Sequence, residues 1–347
     1  MLTNPTKNFS PLEKKSENLI KEIKSEKLKL IIFETIPDFI ENLEILNFIG
    51  SGSESEVYKV LIKENNKFVA IKFVFVMEDK KINTSEINIS NKLKHKNIIN
   101  FYFCGEIKKE VLYCMVMDHG RFGHMFTFTN KYLHQRVLSE SFLCFFSYQI
   151  LEGIKYCHKN KICHMDIKPQ NIVIDEHLIP KIIDFSISLD YSLYCSDGKI
   201  KLPFKGTSLF MAPEIITQKY IAVKNINKVD LYSFGVTIFL LGFGYYPFDL
   251  NPDDVRKYNI INKKINSGLK INNNIRRFSP GFIDFLEKLL VYDINQRLNI
   301  DQALNHYWIK GANIIFEEKE KINNGNNFLV YMLLDHFHSF KEYLKNF

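Results

Sequence analysis

Within His164-Met165-Asp166-Ile167-Lys168-Pro169-Gln170-Asn171, an acid, a base and an amide lie close together around a proline that disfavours helix. A second group is Gly50-Ser51-Gly52-Ser53-Glu54-Ser55-Glu56-Val57, a GxGxxS pattern with Ser55 at the third glycine position. Glycines let a backbone approach a triphosphate with its N–H groups exposed. The stretch lies between two predicted strands rather than between a strand and a helix, which counts against a dinucleotide-binding fold. About twenty residues later, Val69-Ala70-Ile71-Lys72 sets a lysine at the end of an apolar strand. An ammonium there is costly unless paired. Its natural targets are phosphates and a carboxylate, and Glu86 is the available partner.

The elements that must carry these groups can be read from periodicity. Leu46 to Gly50, Val57 to Leu61 and Phe68 to Val74 are β-rich runs, with Asn65-Asn66 as a hairpin-type connection. A helix is predicted near Ser85 to Lys94. Residues 44–117 therefore read as a small sheet-rich lobe. From Ser139 the period becomes helical through Phe142, Phe145, Phe146, Ile150 and Ile154. Ile172-Val173-Ile174 and Lys181-Ile182-Ile183 are short strands around a turn at Asp175, and Leu231 to Leu241 is apolar nearly all round, as in a core helix. Helices continue to Trp308, so residues 118–310 form the larger, helical lobe.

Two extensions flank these lobes. In residues 1–43, Ser10-Pro11-Leu12-Glu13 is a helix start, with a charged amphipathic helix expected to about Leu30. In residues 311–347, an apolar stripe of Val330, Leu333, Leu334, Phe337, Phe340, Leu344 and Phe347 suits packing on the body or a regulatory partner.

The 347 residues are 46% hydrophobic and 24% charged, an ordinary globular balance. A net charge of +7 is spread over both signs, and no basic run suggests nucleic acid. The cysteines Cys104, Cys114, Cys144, Cys157, Cys163 and Cys195 form no CxxC and lack zinc spacing. Scattered thiols suit a reducing compartment, cytoplasmic or nuclear. The first residues lack a signal core, Leu2 excludes myristoylation, and no segment approaches about 18 uninterrupted apolar residues, so no membrane span is expected.

Taken in order, the motifs resemble those of a eukaryotic protein kinase. The order is the glycine loop, Val-Ala-Ile-Lys, a helix glutamate, His-Met-Asp-Ile-Lys-Pro-Gln-Asn, Asp184-Phe185-Ser186, Ala212-Pro213-Glu214, Asp230 and Arg297. The resemblance runs from Leu46 to Trp308 and implies an α+β, two-lobed fold with a β-rich N-lobe and an α-helical C-lobe. It implies ATP and Mg²⁺ as cofactors and a protein substrate. Asp166 then orients or accepts the substrate hydroxyl proton. Lys168 sits by the γ-phosphate and marks the serine/threonine branch. Asn171 and Asp184 hold Mg²⁺, a hard ion that takes oxygen ligands. Lys72, held by Glu86, clamps the α- and β-phosphates. Gly50 and Gly52 cover the phosphates; Ile49, Val57, Ala70 and Val173 belong to the nucleotide site. Met117 stands at the gate of the adenine pocket, with Asp118-His119-Gly120 as the hinge. Thr207 bridges Asp166 and Lys168, Glu214 pairs with Arg297, and Asp230 braces the backbone before Asp166.

The chain departs from the pattern in four places. Met165 replaces an arginine that makes a pocket for an activation-segment phosphate, so activity is expected not to need that phosphate. Ser186 replaces a glycine, which restricts backbone flips. Ser55 alters the phosphate loop. Ser90 puts a hydroxyl where the family stacks an apolar side chain, which weakens the packing of the Glu86 helix. His124, Gln170 and Leu240 stand where arginine-directed relatives carry acids, so no strong basophilic preference is expected, and Ile187 favours a threonine acceptor. The alternative reading is a pseudokinase, an interaction module that binds nucleotide weakly or not at all. Tyr245-Tyr246-Pro247-Phe248 and Asn305-His306-Tyr307-Trp308 look towards the calmodulin-dependent and AMP-activated group, or towards an orphan kinase.

Overall fold

The computed structural model describes residues 43–51, 55–75, 84–108, 112–132, 137–248, 269 and 278–312. The amphipathic extension before residue 43, the apolar stripe after residue 312 and Gly52 lie outside them. Two compact units emerge: one drawn from residues up to Ile82 and Phe101–His119, the other from Asn83–Asn100 and the chain from Gly120 onward. A small β-sheet lobe and a larger helical lobe are thus present.

The smaller unit is an antiparallel sheet ordered β1-β2-β3-β5-β4, with β1 Leu43–Ser51, β2 Ser55–Ile62, β3 Lys67–Phe75, β4 Phe101–Lys108 and β5 Leu112–Asp118. Alternation of Tyr58, Val60 and Ile62 buries one face of β2. The turn between β2 and β3 is made at Asn65-Asn66, where Asn66 takes φ +54°, a conformation asparagine tolerates. Strand β1 begins three residues earlier than its apolar run suggests and carries two irregularities, at Ile45/Asn47 and Phe48/Gly50. Such shifts occur at sheet edges, where β1 lies.

In the larger unit, α1 Thr84–Lys92 precedes α2 Glu140–Lys159, whose side chains at helical spacing are buried along most of its length. Ser139 stands at its N-cap in extended conformation; Lys161, at φ +60°, follows its end. Three short antiparallel pairs follow: β6 Ile162–Cys163 with β9 Leu189–Asp190, β7 Ile172–Ile174 with β8 Pro180–Ile182, and β10 Lys199–Lys201 with β11 Tyr220–Ala222. Helix α3, Lys228–Phe243, is buried at every position from Val229 onward and stops at Gly244, whose φ of +80° glycine adopts without cost. The stretch Val223–Phe243 is long and apolar enough to cross a membrane by length and composition, and most of it is buried within the protein. Helices α4 Pro280–Leu289, α5 Ile300–Leu304 and α6 Tyr307–Lys310 come last among the described residues, with Trp308 packed on Phe282 and Phe285.

Candidate functional site

The segment His164–Asn171 runs from β6 to β7, and its shape is set by Asp230, three residues into α3. Asp230 Oδ1 accepts the Met165 N–H at 2.8 Å; Oδ2 accepts the His164 N–H and His158 Nε2, both at 2.9 Å. These bonds hold Met165 at φ +71°, a left-handed conformation that costs a side-chain-bearing residue about 1–2 kcal/mol. Burial by itself would push the Asp230 carboxyl upward. The His158 hydrogen bond and charge, the His164 ring and the His164 N–H outweigh it, and the group sits below the usual carboxylate range.

His164 ties this segment to the second chemistry-bearing stretch. Its Nε2 donates to the Ile183 carbonyl at 2.9 Å, and its Nδ1 accepts the Asp166 N–H at 3.2 Å, which fixes the tautomer. The Ile183 N–H returns a bond to the Asn171 carbonyl at 2.9 Å. Asp184 follows at φ +66°, and the Phe185 ring meets the His164 ring edge-on at 4.9 Å. Asn171 and Asp184 are thereby brought to adjoining backbone positions.

Around Asp166 the donors can be counted. Oδ2 accepts Lys168 Nζ at 2.6 Å and Asn171 Nδ2 at 3.0 Å, and Oδ1 accepts the Thr207 N–H at 2.9 Å. A carboxylate offers about four acceptor sites, so one remains among the described residues. Lys168 Nζ also donates to Thr207 Oγ1 at 2.6 Å, which leaves one of its three N–H groups. Asn171 spends its amide protons on the Asp166 carboxylate and on the Asp166 carbonyl at 2.9 Å, so its own oxygen is the group left to meet a cation. Gly206 lets the Thr207 segment come this close: a Cβ there would lie 3.0 Å from the Met165 carbonyl, and its φ is +115°.

The Glu214–Arg297 ion pair expected from the resemblance is formed. Arg297 Nη1 and Nη2 donate to Glu214 Oε1 and Oε2 at 2.7 and 3.0 Å, a buried bidentate pair. Ser233 Oγ donates to the Phe210 carbonyl and Thr237 Oγ1 to the Ile167 carbonyl, so α3 fastens both neighbouring loops. Val173, in β7, faces His124 in an antiparallel bridge, and Gly120 lies against it: a Cβ at residue 120 would approach the Val173 Cβ to 2.6 Å.

In the smaller unit, register places Val57, Lys72 and Met115 in one row across β2, β3 and β5, with Ala70 and Met117 in the next. Directly opposed residues share a face, so Val57, Ala70, Lys72 and Met117 stand together. Gly50 pairs with Val57; Ile49 falls in the β1 irregularity and is exposed. The Asp118 carboxylate accepts the Tyr102 hydroxyl, which in turn takes a bond from Lys67.

Glu86 lies in the first turn of α1 and is buried. From the other end of this helix Lys92 Nζ reaches Asp190 Oδ2 at 2.9 Å, while Asp190 Oδ1 takes the Ser192 N–H and hydroxyl at 3.0 and 2.6 Å. No spacing in the sequence signals that pair, whose members are 98 residues apart. Ser90 is buried, and its hydroxyl has no hydrogen-bond partner among the described residues. The Met165 side chain, 2% exposed, is part of the hydrophobic core.

A family model described as the protein kinase domain matches residues 43–309. The chain is 30% identical over 274 residues to serine/threonine-protein kinase 4 homolog B of Dictyostelium discoideum, which covers 79% of this chain and 23% of that protein. It is 30% identical over 299 residues to serine/threonine-protein kinase SRK2F of Arabidopsis thaliana, covering 82% and 79% respectively. Over 268 residues it is 30% identical to myosin light chain kinase 3 of Rattus norvegicus, covering 75% and 32%. The chain thus spans a minor part of the first and third of these relatives and most of the second.

Proposed function

The chain belongs to the eukaryotic protein kinase family, of serine/threonine type, and from that premise we propose that it transfers the γ-phosphate of ATP to a serine or threonine hydroxyl of a protein. The observation that carries this reading is the set of groups left over around Asp166: one acceptor site on its carboxylate, one N–H on Lys168 and the oxygen of Asn171. Phosphoryl transfer asks little more of a protein than an aligned hydroxyl and neutralised charge.

In the proposed step the substrate hydroxyl oxygen attacks the γ-phosphorus, the bond to the bridging oxygen breaks, ADP leaves, and the hydroxyl proton passes to Asp166. Lys168 donates its remaining N–H to the transferring phosphoryl group. Asn171 and Asp184 offer the hard oxygen donors that Mg²⁺ takes, and their adjoining backbone positions suit a shared ion. When bound, the ion would offset phosphate charge. Lys72, Gly50, Gly52, Val57, Ala70, Met117, Asp118, Gly120 and Val173 are assigned to nucleotide binding, with Glu86 as partner of Lys72.

Met165 supports independence from activation-segment phosphorylation, because its buried, apolar side chain offers a phosphate no cation. The second reading, a pseudokinase that serves as an interaction module and binds nucleotide weakly or not at all, draws on Ser90, whose buried hydroxyl has no partner among the described residues and weakens the helix bearing Glu86. Transfer of labelled phosphate to a peptide library, abolished by Asp166→Asn and by Lys72→Met, is the expected result. Absence of transfer by the unaltered, folded chain to any peptide or to itself selects the second reading.

A further inference from the structure

Lys199 and Lys201 alternate along β10, and the register sets Lys199 opposite Ala222 and Lys201 opposite Tyr220 of β11. Residues two apart on a strand, and those directly opposed across it, share one face. That face carries two ammonium groups and the Tyr220 ring, 69% exposed. The opposite face, with Ile200 and Ile221, packs on the core. Past β10 the chain exposes Phe204 and Lys205, then enters Gly206 and Thr207, whose N–H meets Asp166.

The charge here is one-sided. From Tyr191 to Lys224 the acids are Asp197 and Glu214, and Glu214 is spent on Arg297. Among the described residues no ion pair engages Lys199, Lys201 or Lys205. Aromatic and ammonium groups are interleaved beside the segment that touches the proposed catalytic carboxylate.

We propose that this hairpin binds an acidic stretch of the polypeptide substrate, so that hydroxyls flanked by Asp or Glu are preferred; the preference rests on the kinase reading above. Two features favour a peptide over a nucleic acid. A three-residue strand spans only about 10 Å, and a few lysines neutralise fewer phosphates than the roughly six to ten contacts of a nucleic-acid site. Leu193, 96% exposed in the same segment, suits an apolar side chain better than a phosphate backbone. The reach is bounded as well. Thr207 lies six positions after Lys201, at most about 20 Å of chain, so the acids lie within about six positions of the acceptor.

The test separates binding from turnover. Fluorescence anisotropy of the full chain is measured with labelled peptides that lack Ser, Thr and Tyr and whose flanks are Glu-rich, Gln-rich or Lys-rich, alongside a single-stranded oligonucleotide and anionic lipid vesicles. The Glu-rich peptide is expected to bind about tenfold tighter than the Gln-rich one, with the advantage shrinking as salt rises. The K199E/K201E variant is expected to lose that advantage while keeping its melting temperature. Equal binding of the three peptides, an advantage unchanged in the variant, or a preference for the oligonucleotide or the vesicles overturns the proposal. Phosphate transfer to a neutral Ser/Thr peptide is read in parallel. Transfer without acidic preference defeats this inference alone, and acidic binding without transfer defeats the kinase reading alone.

Discussion

Replacing Asp230 by Asn removes one acceptor from a buried site that needs three, without changing the size of the side chain. Asp230 is fully buried, and its two oxygens accept from Met165, His164 and His158. An amide has one oxygen. If that oxygen keeps His164 and His158, the new NH₂ faces the Met165 N–H, and a buried donor loses its acceptor at about 1–3 kcal/mol. Loss of the charge from the two surviving bonds brings the expected total to about 3 kcal/mol. In a domain of this size that corresponds to a melting temperature lower by about 6–12 °C. The released N–H is that of Met165, held at φ +71° beside Asp166, so relaxation of this strained residue moves the proposed catalytic carboxylate. A displacement near 1 Å costs about a hundredfold in rate.

The two readouts are a thermal melt and kcat for labelled-phosphate transfer, the latter taken well below the melt. A variant that melts lower but keeps its kcat refutes the claim that Asp230 positions Asp166. One that neither melts lower nor loses kcat refutes the hydrogen-bond count. The pH dependence has a definite sign. The folded carboxyl lies below its unfolded value of about 3.9, so its stabilising contribution is complete above that pH and is lost as pH falls through the folded value. The wild-type chain therefore loses this increment of stability below about pH 4, and the Asn variant has none to lose.

Three further outcomes follow from the same geometry. Asp166→Asn lowers kcat by at least about a hundredfold, because proton acceptance is lost while the volume is kept. The sample is one shown to be folded at the assay temperature, since the amide also has one acceptor fewer for Lys168, Asn171 and the Thr207 N–H. Phosphatase treatment leaves activity within about twofold, since the buried Met165 gives an activation-segment phosphate no cationic partner; a larger loss, read on a peptide array, contradicts it. Ser90→Ala raises stability in chemical denaturation by up to about 1 kcal/mol, because a buried hydroxyl without a partner among the described residues is removed and its carbon kept; destabilisation would show that the hydroxyl is bonded.

Much of this framework could be read from residue order, because the readable features are local. The apolar runs of β2 and β3 and the Asn65-Asn66 turn depend on neighbours a few residues apart, as does the helical spacing of Phe142 to Ile154. Boundaries were softer. α1 ends at Lys92 rather than Lys94, since Lys96-Asn97 turn into the Ile98 bridge with Ile182. The remainder depends on contacts between distant residues. No local pattern reports that Lys92 meets Asp190, that the Asn171 amide is spent on Asp166, or that Ser188 Oγ donates to the His164 carbonyl.

Met165 shows what the third dimension adds to a departure visible in one. The sequence says only that a cation is missing beside Asp166. In the fold, the residue at this position has a left-handed backbone pinned by Asp230, and its side chain is in the core at 2% exposure. Restoring an arginine there would place a guanidinium in that apolar setting, where an unpaired charge is costly. The same activation segment holds a fixed anion elsewhere: Asp190, with one oxygen on Lys92 and the other on Ser192. An exposed pair of this kind contributes about 0.2–1 kcal/mol, too little to order a loop alone but enough to bias one already tied down by the β6–β9 bridge. The segment is held in part by a carboxylate that needs no modification, which accords with the proposed independence from an activation-segment phosphate.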